Sequence, residues 1–339
     1  MADSTVVLIG SQIHFGKILP HSKAIADLTD SYVSGWQADI SRLRNTQASW
    51  NTCNCFSQNG ISFSYVNFNN SKELGKGFSL AVFAEPLLTY GRLRFSLRAG
   101  LGVSYLTRVY HADNNPRNLF FSSPWNGLLL AQASGRYPIN HQWLLRLSTS
   151  YSHISNGGRR QPNKGMNFPA LSVGLELAPG YQQLQPRVRK GIQDKSMRYY
   201  LGLSYNTRSI DESNGKPEER KMVIGFQGGF YKPIARMHAI GLGLEFSHDG
   251  ALKELARLNS GIYDHRVVSG LVQHHFLFGR FDFSQSLGIY LYEKYLNPTA
   301  VFQRYAIHFR ILENLQAGFS LKAHLYTAEQ MDMRIGFVF

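Results

Sequence analysis

Apolar and polar residues alternate along most of the chain. Between positions 93 and 104, Leu93, Phe95, Leu97, Ala99, Leu101 and Val103 interleave with Arg94, Ser96, Arg98, Gly100, Gly102 and Ser104. Leu171, Val173, Leu175 and Leu177 alternate in the same way with Ala170, Ser172, Gly174 and Glu176. Met331, Met333, Ile335, Phe337 and Phe339 alternate with Asp332, Arg334 and Gly336. A period of two places one set on each face of a β-strand. Read this way, the chain holds sixteen strands in two runs of eight. The first run is 5–17, 32–43, 59–68, 76–87, 92–109, 124–138, 142–155 and 169–178. The second is 197–209, 221–232, 237–247, 265–278, 280–292, 300–312, 315–327 and 331–339. Helical periodicity is confined to short pieces near 22–29 and 251–258.

One face of these strands is apolar and the other is polar or tiny. A soluble sandwich would turn the apolar face inward, and a transmembrane barrel would turn it toward lipid. The last strand ends on Phe339, which resembles the C-terminal signature of bacterial outer-membrane barrels and favours the second reading. Loop lengths agree. The links at 88–91, 139–141, 233–236, 279 and 313–314 are short, whereas those at 18–31, 110–123, 156–168, 210–220, 248–264 and 293–299 are longer. Short turns on one side of the membrane and long loops on the other mark such barrels. Two links, 44–58 and 180–196, break the rule. The second carries Arg187, Arg189, Lys190 and Lys195 and divides the chain into a half at 1–180, a basic connector at 181–196 and a half at 197–339.

The halves read as a degenerate repeat. Tyr90-Gly91-Arg92-Leu93-Arg94-Phe95-Ser96 returns as Phe278-Gly279-Arg280-Phe281-Asp282-Phe283-Ser284, and Gly100 matches Gly288 at the same offset. Chance similarity between strands rich in glycine and aromatic residues is the plainer account of the same match. No open strand edge survives in lipid, so the sheet closes. One ring of sixteen and two fused rings of eight both satisfy this. Because one chain end carries the terminal signature, a single ring of fourteen to sixteen strands is the expectation.

Composition narrows the class. Hydrophobic residues make up 43% of the 339 and mean hydropathy is −0.23, and no stretch approaches the ~20 apolar residues of a spanning helix. Aromatic residues at 13% and 31 glycines suit strands and turns. The net charge of +14 raises nucleic acid as a partner. The cations are spread over polar strand faces and loops, however, which fits an anionic membrane surface or substrate better. Cys53 and Cys55, separated by one residue, are poorly spaced for a disulfide in an extended strand and too few for a zinc site; they read as incidental loop residues. Met1-Ala2-Asp3-Ser4 has neither a basic nor an apolar leader character, so an exported protein would have lost its signal peptide before this start.

One stretch reads as chemistry. Trp143, Leu145, Leu147, Thr149 and Tyr151 share a strand face, and His153 and Ser155 continue it. A histidine two positions before a serine on one face can take its proton, and Asn156 adds an amide donor beside them. The plainer reading of the same residues is a polar strand end opening into the Gly157-Gly158 loop. Arg159, Arg160 and Lys164 in that loop are candidate phosphate ligands or a solvated basic loop. In the second half, His324 with Tyr326 is the nearest parallel, and His274 and His275 face opposite ways; all three histidines read as lumenal or turn residues. Neither a metal nor a cofactor is called for.

Over roughly 9–178 the sequence resembles the outer-membrane lipid A 3-O-deacylases, the PagL-type or acyloxyacyl hydrolase family, in particular its longer Bacteroidetes-like form. The resemblance rests on Phe15-Gly16-Lys17-Ile18-Leu19-Pro20-His21, Gly60-Ile61-Ser62-Phe63-Ser64-Tyr65, Gly100-Leu101-Gly102-Val103-Ser104-Tyr105-Leu106-Thr107, Asn114-Asn115-Pro116, and most specifically His153-Ile154-Ser155-Asn156-Gly157-Gly158 with Pro162-Asn163-Lys164-Gly165. It implies a serine esterase of the bacterial outer membrane that removes an acyl chain from lipid A of lipopolysaccharide. His153 would be the base, Ser155 the nucleophile, and Asn156 an oxyanion donor. The family's third member is a glutamate just after the Pro-Asn-x-Gly turn; that position here holds Asn167. Glu176 has the parity of the polar face and is a poor replacement. With odd strands running outward, Ser155 would lie near the outer leaflet, facing lipid, where a lipid ester arrives by lateral diffusion. The rival functions are a non-enzymatic barrel, either a pore or an inactive relative, and more remotely a soluble lipid-binding β protein.

Overall fold

The computed structural model describes residues 4–157, 160–179, 184, 187–192, 194–210, 219–258, 264–294, 299–324 and 327–339. It divides into two units, Met1–Arg189 and Lys190–Phe339. The first contains β1 (Ser4–Lys17), β2 (Tyr32–Asn45), β3 (Phe56–Asn67), β4 (Lys76–Tyr90), β5 (Leu93–Leu106), β6 (Trp125–Pro138), β7 (Trp143–Ser155) and β8 (Met166–Leu177). The second contains β9 (Arg198–Ile210), β10 (Glu219–Pro233), β11 (His238–Asp249), β12 (Arg266–Phe278), β13 (Phe281–Tyr292), β14 (Val301–Arg310), β15 (Leu315–His324) and β16 (Thr327–Val338). These are the sixteen strands expected from the alternation, displaced by a few residues at their ends.

They close as two antiparallel rings of eight rather than one ring of sixteen. β1 pairs with β8 from Ile9↔Leu177 to Gly16↔Ala170, and β16 pairs with β9 from Met333↔Tyr205 to Val338↔Tyr200. Each half thus satisfies the edge strands it creates, leaving no free edge for the other half to complete. The single-ring expectation failed because a terminal strand signature marks the last strand of a ring and says nothing of the ring's size. The internal repeat has a structural counterpart. Gly91 and Gly279 open the turns from Tyr90 to Leu93 and from Phe278 to Phe281, with φ of 57° and 61°, as a tight hairpin with glycine at its first central position requires.

The faces are as the pattern required. Leu97 is 67% exposed, whereas Arg98 on the opposite face is 2% exposed. Inside the first ring, three arginines meet three carboxylates. Arg136 lies 2.7 Å from Glu85 and 3.1 Å from Glu176, Arg98 lies 2.7 Å from Asp39, and Arg146 lies 3.1 Å from Asp39. Inside the second, Arg304 pairs with Asp332 at 2.8 Å and Arg334 with Glu245 at 2.9 Å. Buried charges are tolerated when paired and hydrogen-bonded, and both of these sets balance. The first lumen also has apolar ends. Leu8, Leu43, Trp50, Phe56, Leu87 and Leu144 cluster at the short-turn end, and Ile18, Phe68, Phe120, Phe121, Met166 and Phe168 at the long-loop end.

The 44–58 link is long because it contains a helix, α1 (Gln47–Cys53), capped by Thr46 at its start and by left-handed Asn54 (φ 54°) at its end. That kink brings the Cα atoms of Cys53 and Cys55 to 5.0 Å, and the two form a disulfide. Expecting unpaired cysteines assumed extended backbone; the helix end curls the chain instead. A second helix, α2 (Gly250–Leu258), and a 3₁₀ turn at Lys23–Leu28 occupy the two places where helical periodicity was seen, whereas α1 was not foreseen.

Candidate active site

β7 and β8 build the site by register. Ser148 stands opposite Ser172 and His153 opposite Asn167, so His153 and Asn167 share the outer face as a directly facing pair. On the other flank, β6 sets Leu129 against His153 and Gly127 against Ser155. The imidazole bridges two partners. Its Nδ1 lies 2.6 Å from Asn167 Oδ1 and its Nε2 lies 3.1 Å from Ser155 Oγ. An amide oxygen only accepts, so Nδ1 carries the proton and Nε2 is the bare base toward the serine. This is a hydroxyl, imidazole and amide in line, at the end of an outward-facing row that includes Leu147 and Tyr151. Tyr105 and Trp125, stacked edge-on at 5.1 Å, stand on the same wall near this level. Aromatic residues at that height suit the membrane interface.

Two loops brace the pair. Gly165, with φ 68°, leaves room where a Cβ would lie 3.0 Å from His153 Cε1 and 3.2 Å from Ser155 Cβ. The backbone N–H groups of Lys164 and Gly165 donate to the Leu119 and Phe120 carbonyls at 3.0 and 3.1 Å. Leu119 and buried Phe120 therefore anchor, through their backbone, the turn that walls the histidine. From the other side, Leu19 N–H donates to the Asn167 carbonyl at 2.8 Å, carrying the segment after β1 up to β8.

Asn156 lies on the buried side of the strand end, 7% exposed. Its Nδ2 donates to Ser122 Oγ at 3.1 Å and to the Arg160 carbonyl at 2.8 Å, and its backbone N–H donates to Asn163 Oδ1 at 3.2 Å. The structure thus ties Asn156 into the loop that follows Ser155. Arg160 and Lys164 are exposed beside the site, and Arg159 lies outside the described residues. Glu176 is buried on the lumenal face with Arg136, as its parity required.

His21 and Asn163 are contacts the sequence reading missed. His21 lies 3.4 Å from Asn167 through Nδ1 and 2.8 Å from the Lys164 carbonyl through Nε2. No periodicity points to it, because it belongs to an irregular loop 146 residues from Asn167. In the second unit, His324 sits at a strand end with Glu329 at 3.0 Å and Tyr290 at 3.1 Å, and His275 is lumenal against Asp282 at 3.0 Å. Tyr326 lies outside the described residues. Among the described residues, no group of histidine, cysteine and carboxylate side chains is arranged to hold a metal ion.

Comparison with known proteins places the chain. A family model described as lipid A 3-O-deacylase (PagL) matches residues 35–176. Another, described as acyloxyacyl hydrolase, C-terminal domain, matches residues 196–339. Among solved structures, the outer membrane enzyme PagL is 16% identical with a TM-score of 0.35, over 50% of this chain and 99% of its own. Neisserial surface protein A is 11% identical with a TM-score of 0.35, over 50% of this chain and 96% of its own. A Rhodopseudomonas blastica porin covers 100% of both chains at 7% identity and a TM-score of 0.20. Likenesses of that size carry no weight beside the family matches, and no curated relative matches in sequence. The two family matches leave only residues 1–34 and 177–195 uncovered, and the chain belongs to the PagL family of outer-membrane lipid A deacylases.

Proposed function

We propose that this chain is an outer-membrane serine esterase that removes an ester-linked acyl chain from lipid A through the first barrel. Support comes above all from the Ser155 Oγ to His153 Nε2 contact of 3.1 Å on the lipid-facing wall, with Nδ1 held by Asn167. Ser155 attacks the ester carbonyl while His153 Nε2 takes its proton. The imidazolium then returns that proton to the departing alkoxide of the sugar, and water repeats the sequence on the acyl-enzyme. No electron transfer is involved, so the side chains suffice for the proton movements. Asn156 and Asn163 hold the backbone that follows Ser155, where a carbonyl oxygen would need donors. Arg160 and Lys164 are exposed beside the site, where they are suited to the phosphates of lipid A; Arg159 belongs to the same basic loop.

The first lumen argues against the pore reading. That reading needs a wide polar channel, whereas the first ring is filled by its arginine–carboxylate network and by apolar side chains at both ends. The inactive-relative reading draws on Asn167. Mass spectrometry of lipid A from cells expressing the protein, beside a Ser155→Ala control, tests both. Loss of one acyl chain only with Ser155 intact supports the esterase. Unchanged lipid A from a folded, membrane-inserted protein removes it.

A further inference from the structure

The geometry points to His21 as the positioning residue that lets an amide stand where a carboxylate would otherwise hold the catalytic base. This rests on the esterase reading of Ser155 and His153. The difficulty with an asparagine there is its two-fold ambiguity. A carboxylate offers oxygen in either orientation, but an amide offers oxygen one way and an N–H donor the other. With Oδ1 toward His153, Nδ1 keeps its proton and Nε2 is free to accept from Ser155. With Nδ2 toward His153, the proton moves to Nε2, and the base can no longer take the serine proton. The direction of one amide therefore decides whether the site can work.

A chain of hydrogen bonds fixes that direction, and it starts at an atom that can only accept. The Lys164 carbonyl lies 2.8 Å from His21 Nε2, so Nε2 is the donor and carries the proton. In the neutral ring Nδ1 then has a lone pair and no hydrogen. It lies 3.4 Å from Asn167 Nδ2 and 3.4 Å from the Leu19 carbonyl. Only the amide nitrogen can donate to it; the carbonyl cannot. Asn167 Nδ2 is thereby drawn to His21, and Oδ1 faces His153 Nδ1 at 2.6 Å. Each bond in the series dictates the sense of the next, from a loop carbonyl to the nucleophile. A doubly protonated His21 would donate from Nδ1 to Leu19 and release the amide. The backbone supports the arrangement, since Leu19 N–H is bonded to the Asn167 carbonyl at 2.8 Å. His21 is thus delivered to the residue whose side chain it orients.

A double-mutant cycle separates this role from simple bracing of the loop. In the natural background, His21→Ala should lower kcat about 10- to 100-fold with KM within about twofold, as a base with the wrong tautomer predicts. In the Asn167→Glu background, the same change should lower kcat by less than about threefold, because a carboxylate has no wrong orientation. His21→Gln, which keeps a donor and an acceptor, should recover part of the loss. Nitrogen-15 NMR of histidine-labelled protein in micelles reads the same property without turnover: His153 should be the Nδ1–H tautomer, and a mixture in His21→Ala. Equal losses in both backgrounds, or an unchanged His153 tautomer in His21→Ala, would overturn the role of His21 while leaving the esterase standing. Absence of Ser155-dependent cleavage in both backgrounds would overturn the esterase reading, with the NMR result still deciding whether His21 orients the amide.

Discussion

Gly165→Ala tests whether the loop, and not the strand alone, sets the geometry of His153, the base of the proposed mechanism. Gly165 has a φ of 68°, and a Cβ there would sit 3.0 Å from His153 Cε1 and 3.3 Å from the Ile154 carbonyl. Two costs follow. Holding alanine in the left-handed region costs about 1–2 kcal/mol. Restoring ordinary contact, which begins near 3.4 Å, displaces the imidazole or the turn by about 0.4 Å, close to half an ångström. A 1 Å misplacement of a reacting group costs about 10²-fold, so half of that should cost about tenfold in kcat. The turn cannot simply retreat, because the Lys164 and Gly165 N–H groups are bonded to the Leu119 and Phe120 carbonyls. The expected result is a barrel that folds, with unchanged heat-modifiable migration on gels, and that releases fatty acid from purified lipid A about tenfold more slowly. Gly165→Asn separates the two costs, since asparagine tolerates left-handed backbone but still carries a Cβ. It should be as slow as alanine but less destabilised. Full turnover in a folded Gly165→Ala protein would refute the reasoning, because the ring could not then be packed against this turn.

Glu85→Gln should destabilise the first barrel by about 3–5 kcal/mol, because Arg98, Arg136 and Arg146 would share one fewer buried anion; the urea midpoint followed by tryptophan fluorescence checks it. Replacing both Cys53 and Cys55 by serine should cost at most about 2 kcal/mol, since the closed loop spans a sequence separation of only 2 and entropic stabilisation shrinks as the closed loop shortens; equal midpoints within that margin, with and without reductant, are expected. Asn167→Glu should raise kcat about 10- to 100-fold, since a carboxylate stabilises the imidazolium and an amide does not. A slower Asn167→Glu enzyme with an intact fold would show that Asn167 does not stand behind the base.

Much of the fold was legible because a barrel wall is a one-dimensional pattern. Each strand from Ser4–Lys17 to Thr327–Val338 follows from the parity of apolar positions, and parity placed His153 and Ser155 on one face, which the strand register then extends to Asn167. Closure was not legible. Whether β8 turns back to β1 or continues to β9 depends on pairing between residues such as Gly16 and Ala170, about 150 positions apart, and neither strand's own pattern carries that information. The disulfide was hidden for a related reason. Its geometry depends on Asn54 taking a left-handed conformation at a helix end, within a link read as irregular. His21 was invisible because its role is defined wholly by where a loop lands on β8.

On the proposed lipid-facing placement of the site, the asparagine at position 167 is a trade. The lumenal carboxylates of this barrel all have arginine partners, as Glu85 and Glu176 do with Arg136. Position 167 is on the other side of the wall, and the cations nearest the site in sequence, Arg160 and Lys164, belong to the exposed loop. A lone carboxylate there would be charged against hydrocarbon, at a cost that grows with depth below the interface. An amide removes that cost and still accepts a hydrogen bond from Nδ1. What it gives up is stabilisation of the imidazolium and certainty of orientation. The second of these is what His21 and the Lys164 carbonyl restore, at 3.4 and 2.8 Å, and they do so without placing any net charge on the outer wall while His21 is neutral. The first is not restored, so the chemistry should be slower than in a carboxylate-bearing site. The same trade explains why the compensating group comes from a loop: a strand residue of matching parity would itself project into the bilayer, whereas the segment after β1 reaches Asn167 from above the wall.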